Sequence, residues 1–178
     1  MTKIQAWIEE NRKLVFDTPW RKIEEVTFDI PTTRAKYHAI IKAERNAASI
    51  VGITTDKQVV LVKQFRPGPK EVLDELPGGF VESDETAKET ARREFIEETG
   101  YDGDFEFVGT CIDDGYSTMI RYCFVAKDCK KIGEPQNDKV EMTEVVLLSL
   151  EDFRKRLRAG KLTDVEMGYL GLDYLGLL

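Results

Sequence analysis

The 178 residues contain one histidine, three cysteines and no excess of basic residues, and each shortage removes a class of chemistry. With His38 the lone histidine, a Ser-His-Asp triad, a zinc site built on histidines and histidine general-base catalysis are almost excluded unless His38 alone serves. The surrounding KYHAII reads as a strand carrying a satisfied or exposed ring. Cys111, Cys123 and Cys129 form neither a paired framework nor a C-x2-C metal spacing, so they are expected to be reduced thiols. Long apolar runs are also missing: Val59 to Val62 and Val145 to Leu148 are strand-sized, and no membrane span is expected. MTKIQAWIEENRK has no apolar core of the signal-peptide kind, which points to the cytoplasm. Lysine and arginine number 26 against 33 acids, and the net charge of −7 argues against a nucleic-acid partner.

What is present describes one soluble domain spanning 1–178, with 42% hydrophobic and 33% charged residues. Residues 2–13 place Ile4, Trp7 and Ile8 at helical spacing and predict a short N-terminal helix, with Trp7 as a packing anchor. IEEVTFDI and AKYHAIIKA, separated by Pro31-Thr32-Thr33, predict an antiparallel hairpin over 22–30 and 35–42. ASIVGIT and QVVLVKQF are the best candidates for buried strands. After RPGPKEVLDELPGG come FEFVGTCIDD, MIRYCFVAKD and VVLLSL as further strands. EDFRKRLRA, stopped by Gly160, and DVEMGYLGLDYLGLL are expected to be helices. Residues 1–45 thus form an N-terminal element ahead of a core over 46–178.

The densest information lies in residues 79–101, GFVESDETAKETARREFIEETGY. Gly78-Gly79 turns the chain after Pro77, Ser83 or Asp84 is expected to cap a helix, and Gly100 to end it. On a helix advancing about 100° per residue, Glu94, Glu97 and Glu98 share one arc beside the apolar Ala87, Ala91 and Phe95. No lysine or arginine lies on that arc, so an oxygen-seeking divalent cation is the natural counter-charge, and Mg²⁺ suits such ligands. The alternative is a solvated acidic helix held by pairs from Glu89 to Arg92 and Arg93.

This segment resembles the Nudix box, G-x5-E-x7-R-E-U-x-E-E-x-G-U with U a bulky apolar residue, at Gly79, Glu85, Arg93, Glu94, Phe95, Glu97, Glu98, Gly100 and Tyr101. Phe95 and Tyr101 stand where aliphatic residues are usual. The resemblance covers roughly Ser49 to Leu178, with the box its diagnostic part. It implies an α/β fold, an α/β/α sandwich around a mixed sheet, here with an N-terminal antiparallel strand hairpin. It further implies hydrolysis of a nucleoside diphosphate linked to another moiety, with Mg²⁺ (or Mn²⁺) held by Glu94, Glu98 and the Gly78 carbonyl, and Glu97 assisting. Glu85, about 180° around the helix from Glu94, is expected to orient Arg93.

LVKQFRPG, ELPGGFVE and REFIEETGY together look like the ADP-ribose and nucleoside-diphosphate-sugar pyrophosphatases, whose N-terminal hairpins serve dimerisation. That likeness implies Arg66 and Glu75 near the substrate and a homodimer through the hairpin. One departure is Gly115-Tyr116 where those enzymes usually carry a proline, and Tyr116 is a candidate for stacking on a base. Trp20 and Phe28 are candidates for reaching a neighbouring subunit's substrate. The water-activating base is expected in NDKVEMTE, with Glu141 the first candidate and Glu144 the second. Competing readings are a Nudix hydrolase of a dinucleotide or noncanonical nucleoside triphosphate, and a non-catalytic nucleotide-sensing domain. The complete Arg93-Glu94 and Glu97-Glu98 set weighs against the latter.

Overall fold

Alternating apolar strands and two strongly capped helices dictate a layered arrangement, and the computed structural model describes it for residues 3–136 and 142–178. The chain divides into two compact units: Met1–Arg45 with Ile112–Ile120, and Asn46–Cys111 with Arg121–Leu178.

The first unit is a three-stranded antiparallel sheet of β1 (Ile8–Asp17), β2 (Lys22–Ile30) and β3 (Ala35–Lys42), in that order. The expected hairpin is β2 and β3, with Phe28 opposite Tyr37. The expected helix over 2–13 is not formed among the described residues; β1 occupies the second half of that stretch. Cross-strand pairing outweighs the helical spacing, because Arg12 reaches Glu24, Lys36 reaches Glu10 at 2.6 Å, and Trp7 packs on Phe28 and Tyr37 at ring-centre distances of 6.0 and 5.1 Å. His38, exposed on β3, shares a 3.1 Å hydrogen bond with Thr27. The 112–120 segment belongs to this unit through Lys42. Its backbone exchanges bonds with Tyr116 and Thr118, and its ammonium meets Asp113 and Asp114 at 2.5 and 2.6 Å.

The second unit is a mixed sheet between helices. Strands run in the order β10 (Glu144–Ser149), β5 (Gln58–Arg66), β4 (Ala47–Thr54), β9 (Ile120–Lys131), β8 (Tyr101–Ile112), with β6 (Glu71–Glu75) on β5 and β7 (Gly78–Phe80) on β4. The β4–β9 pair is parallel, and the β10–β5, β5–β4, β5–β6 and β4–β7 pairs are antiparallel. On one face α1 (Ala87–Thr99) buries Ala91 and Phe95 against Ile50, Val60, Phe105 and Phe124. On the other, α2 (Leu150–Ala159) and α3 (Val165–Tyr174) bury Phe153, Leu157, Met167 and Leu172 against Val51, Val59 and Leu61. Central strands covered on both faces explain the unbroken apolar runs of β4 and β5. Cys123 and Cys129 are buried free thiols, each pushed up to about 12 chiefly by loss of solvent. Among the described residues, no helix is long and apolar enough to cross a membrane.

Candidate active site

The acids of the box converge because the ends of α1 are fixed. Neither Ser83 nor Asp84 caps the helix. The cap is Thr86, whose hydroxyl accepts from the Glu89 N–H while the Glu89 carboxylate accepts from the Thr86 N–H at 2.8 Å. Thr86-x-x-Glu89 is a capping box, and Ser83 and Asp84 have no carboxylate three residues on to complete one. Those bonds hold the Glu89 acid below its ordinary range. At the other end Gly100 adopts φ 70°, a left-handed turn that a side chain would strain, and its N–H donates to Ile96 O.

Glu94 and Glu98 leave α1 toward the Gly78-Gly79 strand. The Gly78 N–H donates to Glu98 Oε2 at 2.9 Å. A Cβ added at Gly79 would collide with the Glu94 carboxylate, so glycine is what lets strand and acid approach. The counter-charge is not left wholly to an ion. Arg93 donates through Nη1 to Glu94 at 2.8 Å and to Glu97 at 3.1 Å. Its Nε and Nη2 grip Glu85 at 2.7 and 2.9 Å. Glu85 therefore stands in the turn before α1 rather than on the helix, and Arg93 binds its carboxylate as a fork. The fork, joined by Thr90, depresses the Glu85 acid and raises Arg93 further. Glu89 does not pair with Arg92, which instead binds Asp102 at 2.6 Å.

Beside the acids, Arg66 forks onto Glu75 with contacts of 2.5 to 2.8 Å. Glu75 is 1% exposed, so the fork supplies the charge that its burial demands. The guanidinium is raised first by that bond, with Glu98 and Asp164 adding attraction. A carboxylate behind a half-exposed guanidinium fixes its plane and leaves outward donors for an anionic ligand.

Glu141 lies outside the described residues. Its described flanks are tied to the acidic helix: Gln136 N donates to Glu97 O at 2.7 Å, and Thr143 Oγ1 to Glu98 O at 3.3 Å. Glu144 is an exposed residue of β10, 3.8 Å from Lys63. Trp20, Phe28 and Tyr116 all belong to the first unit. There Phe28 packs on Trp7, Tyr116 shares a 3.1 Å hydrogen bond with Tyr37, and Trp20 is exposed. Sequence reading missed Thr86 and Glu89, which carry a legible capping signal, and Ser49, Arg121 and Asp164, which carry none.

Among the described residues, no three His, Cys, Asp or Glu side chains form a ready metal cage. Glu94 and Glu98, both set against the Gly78-Gly79 strand, nevertheless fit Mg²⁺, which is usually held by one or two carboxylates plus waters and substrate phosphates. Residues 43–165 match the NUDIX domain, and the chain belongs to that family of hydrolases. It is similar to the ADP-ribose pyrophosphatase of Bacillus subtilis (strain 168), 28% identical over 158 residues, 87% of this chain and 83% of that protein. The ADP-sugar pyrophosphatase of Mus musculus is 28% identical over 166 residues, covering 84% and 76%. The methanol dehydrogenase activator of Bacillus methanolicus is 25% identical over 159 residues, covering 88% and 85%. A solved ADP compounds hydrolase superimposes over 100% of both chains with a TM-score of 0.79 and 19% identity, which establishes the shared fold.

Proposed function

We propose that the chain hydrolyses the pyrophosphate of ADP-ribose or a related nucleoside diphosphate sugar, giving a nucleoside monophosphate and a sugar phosphate. The observation that carries this reading is the approach of Glu94 and Glu98 to the Gly78-Gly79 strand, beside the Arg66–Glu75 fork. The names of the two pyrophosphatase relatives support the substrate class. A Mg²⁺ or Mn²⁺ held by Glu94, Glu98 and the Gly78 carbonyl, with Glu97 assisting, would neutralise phosphate oxygens and make water more acidic.

The remaining work belongs to side chains. Arg93, gripped by Glu85, keeps Glu94 and Glu97 in place. Arg66, fixed by Glu75, directs its free donors to a phosphate oxygen, where developing charge is stabilised. Glu141 accepts the proton of the attacking water, a role supported by the ties of Gln136 and Thr143 to the end of α1. Trp20 or Phe28 reaches the base bound by a second copy of the chain. The protein acts in the cytoplasm as a homodimer through the N-terminal sheet. There β1 is an exposed edge strand bearing Leu14, Val15 and Phe16, a pattern that invites pairing with a second copy.

The test is turnover with Mg²⁺ or Mn²⁺ on ADP-ribose, nucleotide sugars, dinucleotides and nucleoside triphosphates, with products identified by mass. ADP-ribose and nucleotide sugars should be the best substrates. Preference for dinucleotides or triphosphates would overturn the substrate class, and nucleotide binding without turnover would make the domain a sensor.

A further inference from the structure

Asp164 occupies the N-cap position of α3 but does not cap it: no N–H of the first turn donates to its side chain, and its backbone sits at φ −122°, ψ 47°. An aspartate there ordinarily accepts such a bond. Its carboxylate turns instead to the sheet. Oδ2 accepts from the Ser49 hydroxyl of β4 at 3.1 Å, and Oδ1 accepts from Arg121 of β9, which also binds Glu166. The group is shielded, with Asp164 20% and Arg121 11% exposed at the side chain. Asp164 thus clamps β4 to β9 where Ala47 lies beside Arg121 and Ser49 beside Cys123.

The clamped stretch of β4 is the bed of β7: Ser49 pairs with Gly78, Ala48 with Gly79 and Ala47 with Phe80. Ile50 N–H donates to Pro77 O at 2.9 Å, and Val81 N–H to Asn46 O at 2.8 Å. The same β7 backbone donates to Glu98 and lies against Glu94. One face of β4 therefore carries the clamp while its edge carries the strand that aligns the acids. We propose that Asp164, with Ser49 and Arg121, is a positioning group that holds the Gly78-Gly79 strand in register against Glu94 and Glu98. It rests on the metal assignment proposed above and extends it to residues that touch neither metal nor substrate.

Outer partners of a metal site typically change affinity or activity by about 10- to 100-fold when removed. Ser49→Ala deletes one hydroxyl from a small buried residue, and Asp164→Asn keeps size while losing the charge held by Arg121. Two readouts apply to the full chain. In the metal-free protein, amide exchange followed by NMR should accelerate at Gly78 by roughly tenfold in both variants, with β10 amides unchanged. With Mn²⁺ alone, followed by the EPR signal of the free ion, the dissociation constant should rise by about tenfold or more. Phe153→Leu, a core change beneath α2, should lower Tm without either shift. Unchanged Gly78 exchange, or Mn²⁺ affinity equal to wild type, in Ser49→Ala and Asp164→Asn overturns the proposal. So do equal shifts in Phe153→Leu. Glu98→Gln separates the two readings: if it binds Mn²⁺ like wild type, the metal assignment itself fails and this inference falls with it. If Glu98→Gln loses Mn²⁺ while the clamp variants keep it, only the inference fails.

Discussion

Replacing Glu98 with glutamine separates charge from shape at the site. The side chain is tied by the Gly78 N–H at 2.9 Å, and the glutamine carbonyl accepts the same bond. Stability therefore changes only by the difference between a charged and a neutral acceptor, about 1 kcal/mol, less the relief of repulsion within the acidic arc. For a chain of this size that corresponds to a Tm shift of roughly 2–4 °C. Catalysis should respond far more, because a charge-stabilising ligand disappears. A fall in kcat of about 10²-fold, equivalent to roughly 2.7 kcal/mol of transition-state stabilisation, is expected. Steady-state turnover of ADP-ribose, with Mg²⁺ titrated to saturation and unfolding followed by circular dichroism, measures both quantities. Turnover like that of wild type at saturating Mg²⁺ refutes the placement of Glu98 among the metal ligands.

Glu141→Gln should lower kcat with little change in KM, since the proposed base acts mainly in the transition state; loss in Glu144→Gln instead would exchange the roles, as steady-state kinetics on both variants would reveal. Gly79→Ala places a Cβ against the Glu94 carboxylate, so kcat should fall by about tenfold or more, and an unchanged rate would show that strand and acid need no such approach. Glu85 has an acid depressed below its ordinary 4.5 by Arg93 and then Thr90. Its stabilising contribution is present above 4.5 and is lost as pH falls through the lower folded value. Tm should consequently drop more steeply below that point in wild type than in Glu85→Gln, measured by scanning calorimetry. Light scattering at micromolar protein should give the mass of a dimer and, after removal of residues 1–45, of a monomer with weakened substrate affinity; a fully active full-length monomer would remove the N-terminal sheet from the site.

The strands of the core were legible because burial on both faces leaves unbroken apolar runs at β4 and β5, a signal that survives without knowing their neighbours. The N-terminal segment was not. Ile4, Trp7 and Ile8 have the spacing of a helix face, yet Ile4 is almost fully exposed and Trp7 meets aromatic side chains of β2 and β3. Those partners are distant in sequence, and their pairing outweighs a weak local preference. The helix start failed for a different reason: Thr86-x-x-Glu89 was present to be read, but Ser83 and Asp84 stand closer to the turn.

The acids themselves could be read from spacing alone, because residues at i, i+3 and i+4 of one helix share a face. Part of their neutralisation follows the same rule: Arg93 and Glu97 are four apart, while the bonds to Glu94 and Glu85 require knowing the arginine's path. The clamp behind the glycine strand follows no local rule. Ser49 and Asp164 are separated by 115 positions, and the aspartate looks like an ordinary helix cap until its side chain is seen facing the sheet. A motif can encode which groups do chemistry within some twenty residues because a helix supplies their geometry. It cannot encode what keeps the opposing strand in place, since that depends on a register between β4 and β9, strands distant in sequence. Activity should therefore be sensitive at positions outside the box wherever they bear on Gly78, and Asp164 is where the hydrogen bonds lead.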